Sequence, residues 1–168
     1  MEKGNNNPYC DIDRKIMEGY SELEAEIAVA KKRKEYISKY GYLIDCVMSD
    51  SDEIFMLDCH THGLVDSREH LELQVLMPDC GGVRETQKVG MEIIHRCVDK
   101  IDTGEKFKEN TIYTDILDDD YYLKFLKFNI RKESILRLLL PDENNMLPDE
   151  EKCNPLYKYQ LNKYGKLK

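Results

Sequence analysis

At 168 residues the chain has the length of one domain and can bury a core without staples. Hydrophobic residues at 41% and charged residues at 35% suit a soluble globular protein with a heavily charged surface, and are too apolar for general disorder. A formal net charge of -8 excludes general binding to a polyphosphate backbone, so nucleic acid is not an expected partner.

The opening segment, MEKGNNNPYC, lacks the apolar stretch of a signal peptide, and no run approaches the roughly 20 apolar residues of a membrane span. The expectation is a cytoplasmic protein with no membrane partner. Cys10, Cys46, Cys59, Cys80, Cys97 and Cys153 are scattered, none in CxxC spacing, which predicts free thiols rather than a disulfide framework or a structural zinc knot.

Residues 1–10 read as a disordered lead-in and 11–168 as a single α+β domain, with 11–40 a helical extension and 41–160 the core. Between Asp11 and Lys39 the apolar positions Ile12, Ile16, Tyr20, Leu23, Ile27, Ala30 and Ile37 recur at threes and fours, predicting an amphipathic helix. Asp11 and Asp13 are candidate caps, Gly41 suits its end, and Gly19 with Ser21 can divide it in two. The stripe needs a cover, from the sheet or from a second subunit, so Leu23→Asp is expected to cost several kcal/mol by burying an unpaired charge. Lys31, Lys32, Arg33 and Lys34, with Glu22, Glu24 and Glu26 upstream, read as a solvated face with ion pairs.

Tyr42 to Met48 is a short β-leaning run, and an acidic turn from Ser49 to Glu53 separates it from the next strand. Ile54 to His62 alternates, as do Leu71, Leu73, Val75 and Met77, giving two strands around a polar connection. After Gly81 and Gly82, a broad apolar stripe from Val83 to Ile101 predicts a second helix, closed by Gly104, with His95 at its edge. Thr103 to Asp120 reads as a surface connection. Tyr121 to Ile130 and Ser134 to Leu140 read as two strands around a turn, and the Pro-rich tail as a loop pinned by Met146, Leu147, Leu156 and Tyr157. The order α-β-β-β-α-β-β predicts an antiparallel or mixed sheet of about five strands with two main helices.

The chemical candidates lie between residues 58 and 74. A strand repeats every second residue, so Asp58, His60 and His62 share one face and Leu57, Cys59 and Thr61 the other. That separation argues against a Cys59–His60 nucleophile pair. The returning strand adds Glu72 and Gln74, and the connection carries His70. Two imidazoles on one strip can ligate a divalent metal such as zinc, with His70 and Glu72 completing a set of His60, His62, His70 and Glu72. The same three histidines are the candidate catalytic groups, as general base and orienting group, and Asp58, Thr61, Glu72 and Gln74 are candidate ligand contacts. The bland alternative has the histidines bonded to backbone, Thr61 or Asp58, shaping the loop from Gly63 to His70, with Gly63 serving only the turn.

His60-Thr61-His62-Gly63-Leu64 followed by His70-Leu71-Glu72-Leu73 resembles the Thr-x-Gly-Leu and His-Pro-Glu-Leu segments of the bacterial domain-of-unknown-function family 4262. Pro141-Asp142-Glu143-Asn144-Asn145, then Leu147-Pro148, is similar to that family's Pro-Asp ending, and Gly104 to Phe107 also fits. The resemblance covers residues 42–160. It departs at His60, where the family carries Tyr, and at Glu69 and Leu71, where it carries Gly and Pro. It implies an architecture and a central region, not a reaction.

The expected function is therefore a binding module for a protein or a small ligand, of the kind useful in toxin immunity or defence, with oligomerisation through the N-terminal helix as one way to cover its stripe. The alternative is a histidine-dependent, metal-assisted hydrolase or phosphodiesterase. An enzyme needs His60, His62, His70 and Glu72 to converge on one concave pocket.

Overall fold

The computed structural model describes residues 15, 18–48, 56–130 and 133–163. The readings at Asp11, Asp13, Ile12, Ile16, the turn at 49–53, and Ile54 lie outside those residues. Six strands, β1 (Leu43–Met48), β2 (Met56–His62), β3 (Glu72–Pro78), β4 (Ile112–Tyr113), β5 (Leu123–Ile130) and β6 (Glu133–Leu139), form one sheet in the order β1-β2-β3-β6-β5-β4. β3 and β6 run parallel and every other pair is antiparallel, so the sheet is mixed. A parallel pair needs a crossover, and the chain between β3 and β6 supplies it. The helices are α1 (Glu22–Tyr40), α2 (Leu64–Arg68) and α3 (Val83–Asp102), followed near the C-terminus by a 3-10 helix (Pro155–Leu161). This is the α+β class the alternating patterns implied, with the short β4 and α2 added.

α1 starts at a reciprocal capping box, in which Ser21 Oγ accepts from the Glu24 N–H at 3.4 Å and the Glu24 carboxylate accepts from the Ser21 N–H at 3.0 Å. It stops at Gly41, left-handed at φ 83°, whose N–H donates to the Ile37 carbonyl. Its covered side is not the expected stripe. Leu23 is 66% exposed and Ile27 60%, while Ala25 and Val29 are buried. The helix rests along the edge strand β1 rather than across the sheet, so a narrow strip of small side chains makes the contact.

α3 lies over one face of the sheet and turns Thr86, Gly90, Ile93, Ile94, Cys97 and Ile101 inward, at the spacing of a helix face. A Cβ on Gly90 would sit 2.9 Å from Cys59 Sγ and 3.1 Å from Met77 Sδ, so this glycine sets how closely helix and sheet approach. The residues beneath, among them Leu57, Cys59, Leu73, Val75, Leu136 and Leu138, form the main core. Cys46 and Cys59 stand opposite each other on β1 and β2 with their sulfurs 2.7 Å apart. The five described cysteines are free.

The segment expected to be a surface connection carries β4 and sends Phe107 and Ile116 into that core, Phe107 stacking on Phe125 at a centroid distance of 4.5 Å. Two apolar anchors in a polar stretch have no period, which is why the pattern missed them. On the opposite face the 3-10 helix buries Tyr159, whose hydroxyl donates to the Leu76 carbonyl at 3.3 Å. Gln160 beside it bridges the Leu140 N–H and carbonyl. Among the described residues, no helix is long and apolar enough to cross a membrane.

Candidate functional site

The antiparallel register places Asp45 of β1 opposite His60 of β2, and His60 opposite Gln74 of β3. The parallel register then places Gln74 beside Arg137 of β6. Residues paired across strands project to the same side, so one row of side chains crosses four strands on the face away from α3. The row is polar, and most of it is buried: Arg137 is fully enclosed, Gln74 is 5% exposed and Asp45 4%.

The row is wired as a chain of hydrogen bonds. Arg137 Nε donates to Gln74 Oε1 at 2.8 Å, Gln74 Nε2 donates to Asp58 Oδ2 at 2.7 Å, and His60 Nδ1 donates to Asp58 Oδ1 at 3.0 Å. A carboxylate can only accept, so Asp58 fixes the His60 tautomer and leaves Nε2 as the ring's outward lone pair. The remaining Arg137 donors go to the carbonyls of Gln160, Asn162 and Lys163, which anchors the C-terminal segment. Its guanidinium stacks on the Phe128 ring at 4.0 Å. Burial pulls the Arg137 pKa down to about 10, still charged at neutral pH.

Beside this chain, Asp45 Oδ2 meets His62 Nε2 at 3.0 Å and the Arg33 guanidinium from α1. Burial alone would raise the Asp45 pKa, but the His62 bond and the Arg33 charge outweigh it and hold the carboxyl below its usual range. Burial likewise opposes a charge on His60, and the bond to Asp58 with that carboxylate's charge outweighs it, so His60 is raised. The His60 and His62 rings lie 5.0 Å apart at 73°, edge to face. Asp45 Oδ1 is enclosed and accepts no hydrogen bond from any described residue.

A cleft of about 760 Å³ opens over the row. Asp58, His60, His62 and Gln74 line one side, Ile130, Glu133 and Ile135 at the adjoining ends of β5 and β6 the other, and Lys163 stands in its lining. Thr61 and Glu72 reach it from the end where β2 and β3 part.

The expected four-ligand set is not assembled. His70 points into the α3 side, where it is 7% exposed, packs edge-on against Phe107 at 5.8 Å and donates its Nδ1–H to the Leu71 carbonyl at 2.7 Å. It therefore joins neither the candidate metal ligands nor the candidate catalytic histidines that face the cleft. The cause is α2, which ends at Glu69 in the left-handed region at φ 51° and turns the next side chain inward. Glu72 is committed elsewhere as well: its carboxylate accepts from Thr61 Oγ1 at 2.6 Å and from the Gly63 N–H at 2.8 Å, so it ties down the start of α2. Gly63 itself has φ 103°, and a Cβ there would meet the Gly41 carbonyl at 2.8 Å.

What brings three candidate ligands together instead is Asp45, whose ligand atom and those of His60 and His62 all lie within 4.8 Å of one another. Asp45 and Arg137 escaped the sequence reading, although each is a lone charge inside an apolar run, YLIDCVM and SILRLLL. Such a charge has to find a partner when the run is buried, and that was the available signal. His95, at the edge of the α3 stripe, shares a 2.6 Å hydrogen bond between its Nδ1 and the Tyr42 hydroxyl, far from this row. No family model, curated protein or solved structure matches the chain.

Proposed function

We propose that the protein is a binding module that takes a small polar ligand in the cleft above β2, β3 and β6. The observation that carries this reading is the hydrogen-bonded chain Arg137–Gln74–Asp58–His60 beneath a cavity of about 760 Å³. Ligand sites are concave, sized in the hundreds of cubic ångströms, and combine apolar walls with a few fixed polar groups. Here Ile130 and Ile135 supply the apolar wall and His60 a ring nitrogen whose direction is already set. Groups ordered before the ligand arrives cost less to order when it binds. A protein partner fits this cleft poorly, since a stable interface needs on the order of 800 Å² per partner.

The hydrolase reading has less to stand on. Among the described residues lining the cleft there is no Ser or Cys, and the Thr61 hydroxyl is already donated to Glu72. Hydrolysis there would have to use a carboxylate or imidazole nucleophile or an activated water. Of the segments that resemble the 4262 family, His60, Thr61, His62 and Glu72 line the cleft, while Leu64 and Leu73 belong to the core on the other face.

The test is backbone amide NMR of the whole chain against a panel of amino acids, nucleotides and sugar phosphates. At least one class should shift the amides of Gln74, Ile130 and Ile135, and Ile130→Trp, which narrows the cleft, should remove the response. Shifts confined to the exposed side of α1, or a response untouched by Ile130→Trp, would overturn the proposal.

A further inference from the structure

We infer that Asp45, His60 and His62 form a divalent-metal centre at the inner wall of the cleft, with open coordination positions facing it. The inference rests on the cleft being the binding site and names what the ligand would meet there. Three observations converge on it. The ligand atoms of the three residues lie within 4.8 Å of one another on two neighbouring strands, placed by the Asp45–His60 register pair. A tetrahedral ion with bonds of about 2.0–2.1 Å separates its ligand atoms by roughly 3.3–3.4 Å. His62 Nε2 lies 3.0 Å from Asp45 Oδ2 as a hydrogen bond, and it would give up that proton to take the ion.

The independent observation is Asp45 Oδ1. A carboxylate 4% exposed with one oxygen enclosed and accepting nothing from the described residues is a costly arrangement, and a cation is the natural acceptor of that lone pair. Arg33 holds the other oxygen, so it can keep its place as an outer-sphere partner of the same carboxylate. The support around His60 has the same form. Asp58 accepts from Nδ1 and is itself held by Gln74, which is the carboxylate–histidine arrangement that orients a ligating imidazole and raises its basicity.

Two histidines and one carboxylate leave at least one position for water or for a donor atom of the bound ligand. The set suits zinc or a first-row ion of intermediate softness, and not calcium, which wants more oxygen donors. Cys46 and Cys59 sit behind the sheet and contribute no thiolate, because their side chains leave the opposite face.

The experiment uses the whole chain without an affinity tag, treated with a chelator and titrated separately with Zn²⁺ and Co²⁺. One ion per chain is expected, with a cobalt spectrum free of thiolate charge transfer. His62→Ala and Asp45→Asn should weaken binding at least tenfold, and Asp58→Asn roughly ten- to a hundredfold through the His60 orientation. His70→Gln should leave affinity unchanged. Melting curves accompany each variant, and His62→Ala, which removes a half-exposed ring, carries the test if Asp45→Asn fails to fold. Undiminished binding in folded His62→Ala, a thiolate band, or no saturable uptake of either ion by the wild type would overturn the metal centre. Ile130→Trp separates the two readings: it should keep the ion and lose the small-molecule response. A small-molecule response without any ion uptake would leave the cleft standing and refute the centre alone.

Discussion

The two faces of the sheet solve the same burial problem with opposite chemistry. On the α3 side, Leu57, Cys59, Leu73, Val75 and Leu138 pack against an apolar helix face, and the strands are held by area removed from water. On the other side the same strands bury Gln74 and Arg137 in a hydrogen-bond chain, with Asp45 beside it against His62 and Arg33. Apolar packing tolerates substitution by degrees. A buried polar chain does not, because losing one member leaves its partners desolvated and unpaired. Strand alternation lets neighbouring residues serve both regimes: Cys59 is core, and His60 lines the cleft.

The difference is tested most severely at Arg137. Arg137→Met keeps much of the side chain's length but removes the donors to Gln74, Gln160, Asn162 and Lys163. The substitution removes the charge and leaves these neutral acceptors without their donor, at about 1–3 kcal/mol for each one that stays buried and unpaired, and a thermal melt should show the loss. The C-terminal segment should also become accessible to proteolysis at low protease concentration. A change below about 1 kcal/mol would mean the polar face is held by packing like its counterpart.

The apolar face is tested at Gly90. Gly90→Val places atoms against Cys59 Sγ and Met77 Sδ, where a Cβ alone already stands at 2.9 and 3.1 Å. Overpacking of that kind costs about 1–3 kcal/mol, measured by denaturant unfolding, and amide shifts should follow along α3 and β2. Because the two faces share β2, small shifts at His60 are expected too. Their absence would show that the sheet insulates the cleft from the core.

His70 is an ionisable group on the apolar side and gives a pH signature. Burial holds its pKa below the ordinary value and outweighs the bond to the Leu71 carbonyl. The unfolded chain therefore binds this proton more readily than the folded one. The stability associated with neutral His70 is complete above the unfolded pKa of about 6.5 and is lost as pH falls through the lower folded value. His70→Gln should flatten the acid side of the stability curve, read by melts at a series of pH values. An unaltered acid slope would show that His70 is not titrating out of a dry site.

The fold class was legible because its signals are periodic: alternation marked β2 and β3, and the Val83 to Ile101 stripe marked α3. The placement of His60 and His62 on one strip also follows from period two. What sequence reasoning could not supply was pairing across strands. Asp45 joins the histidines only through the β1–β2 register, and Arg137 lies under Gln74 only because β6 inserts parallel to β3. Glu72, on β3, does reach the cleft, whereas His70 would do so only if a connection delivered its side chains to the same side as its strands. The short helix α2 prevents that by reversing the chain before His70.

The smallest expected effect concerns the third surface, the outer side of α1. The apolar residues Leu23 and Ile27 suggested a stripe under cover, yet both are largely in solvent, and the covered positions are Ala25 and Val29. Leu23→Asp should therefore change stability by no more than about 0.5 kcal/mol, the range of an exposed substitution. It places a carboxylate in the first turn beside Glu22 and Glu24, where attraction to the helix N-terminus and repulsion from those two acids oppose each other. Ala25→Asp should cost several times more, since its side chain is wholly enclosed. Measuring both by thermal melt at several protein concentrations decides the matter. A large, concentration-dependent loss in Leu23→Asp would mean that a second copy covers this side in solution, making it a third buried surface.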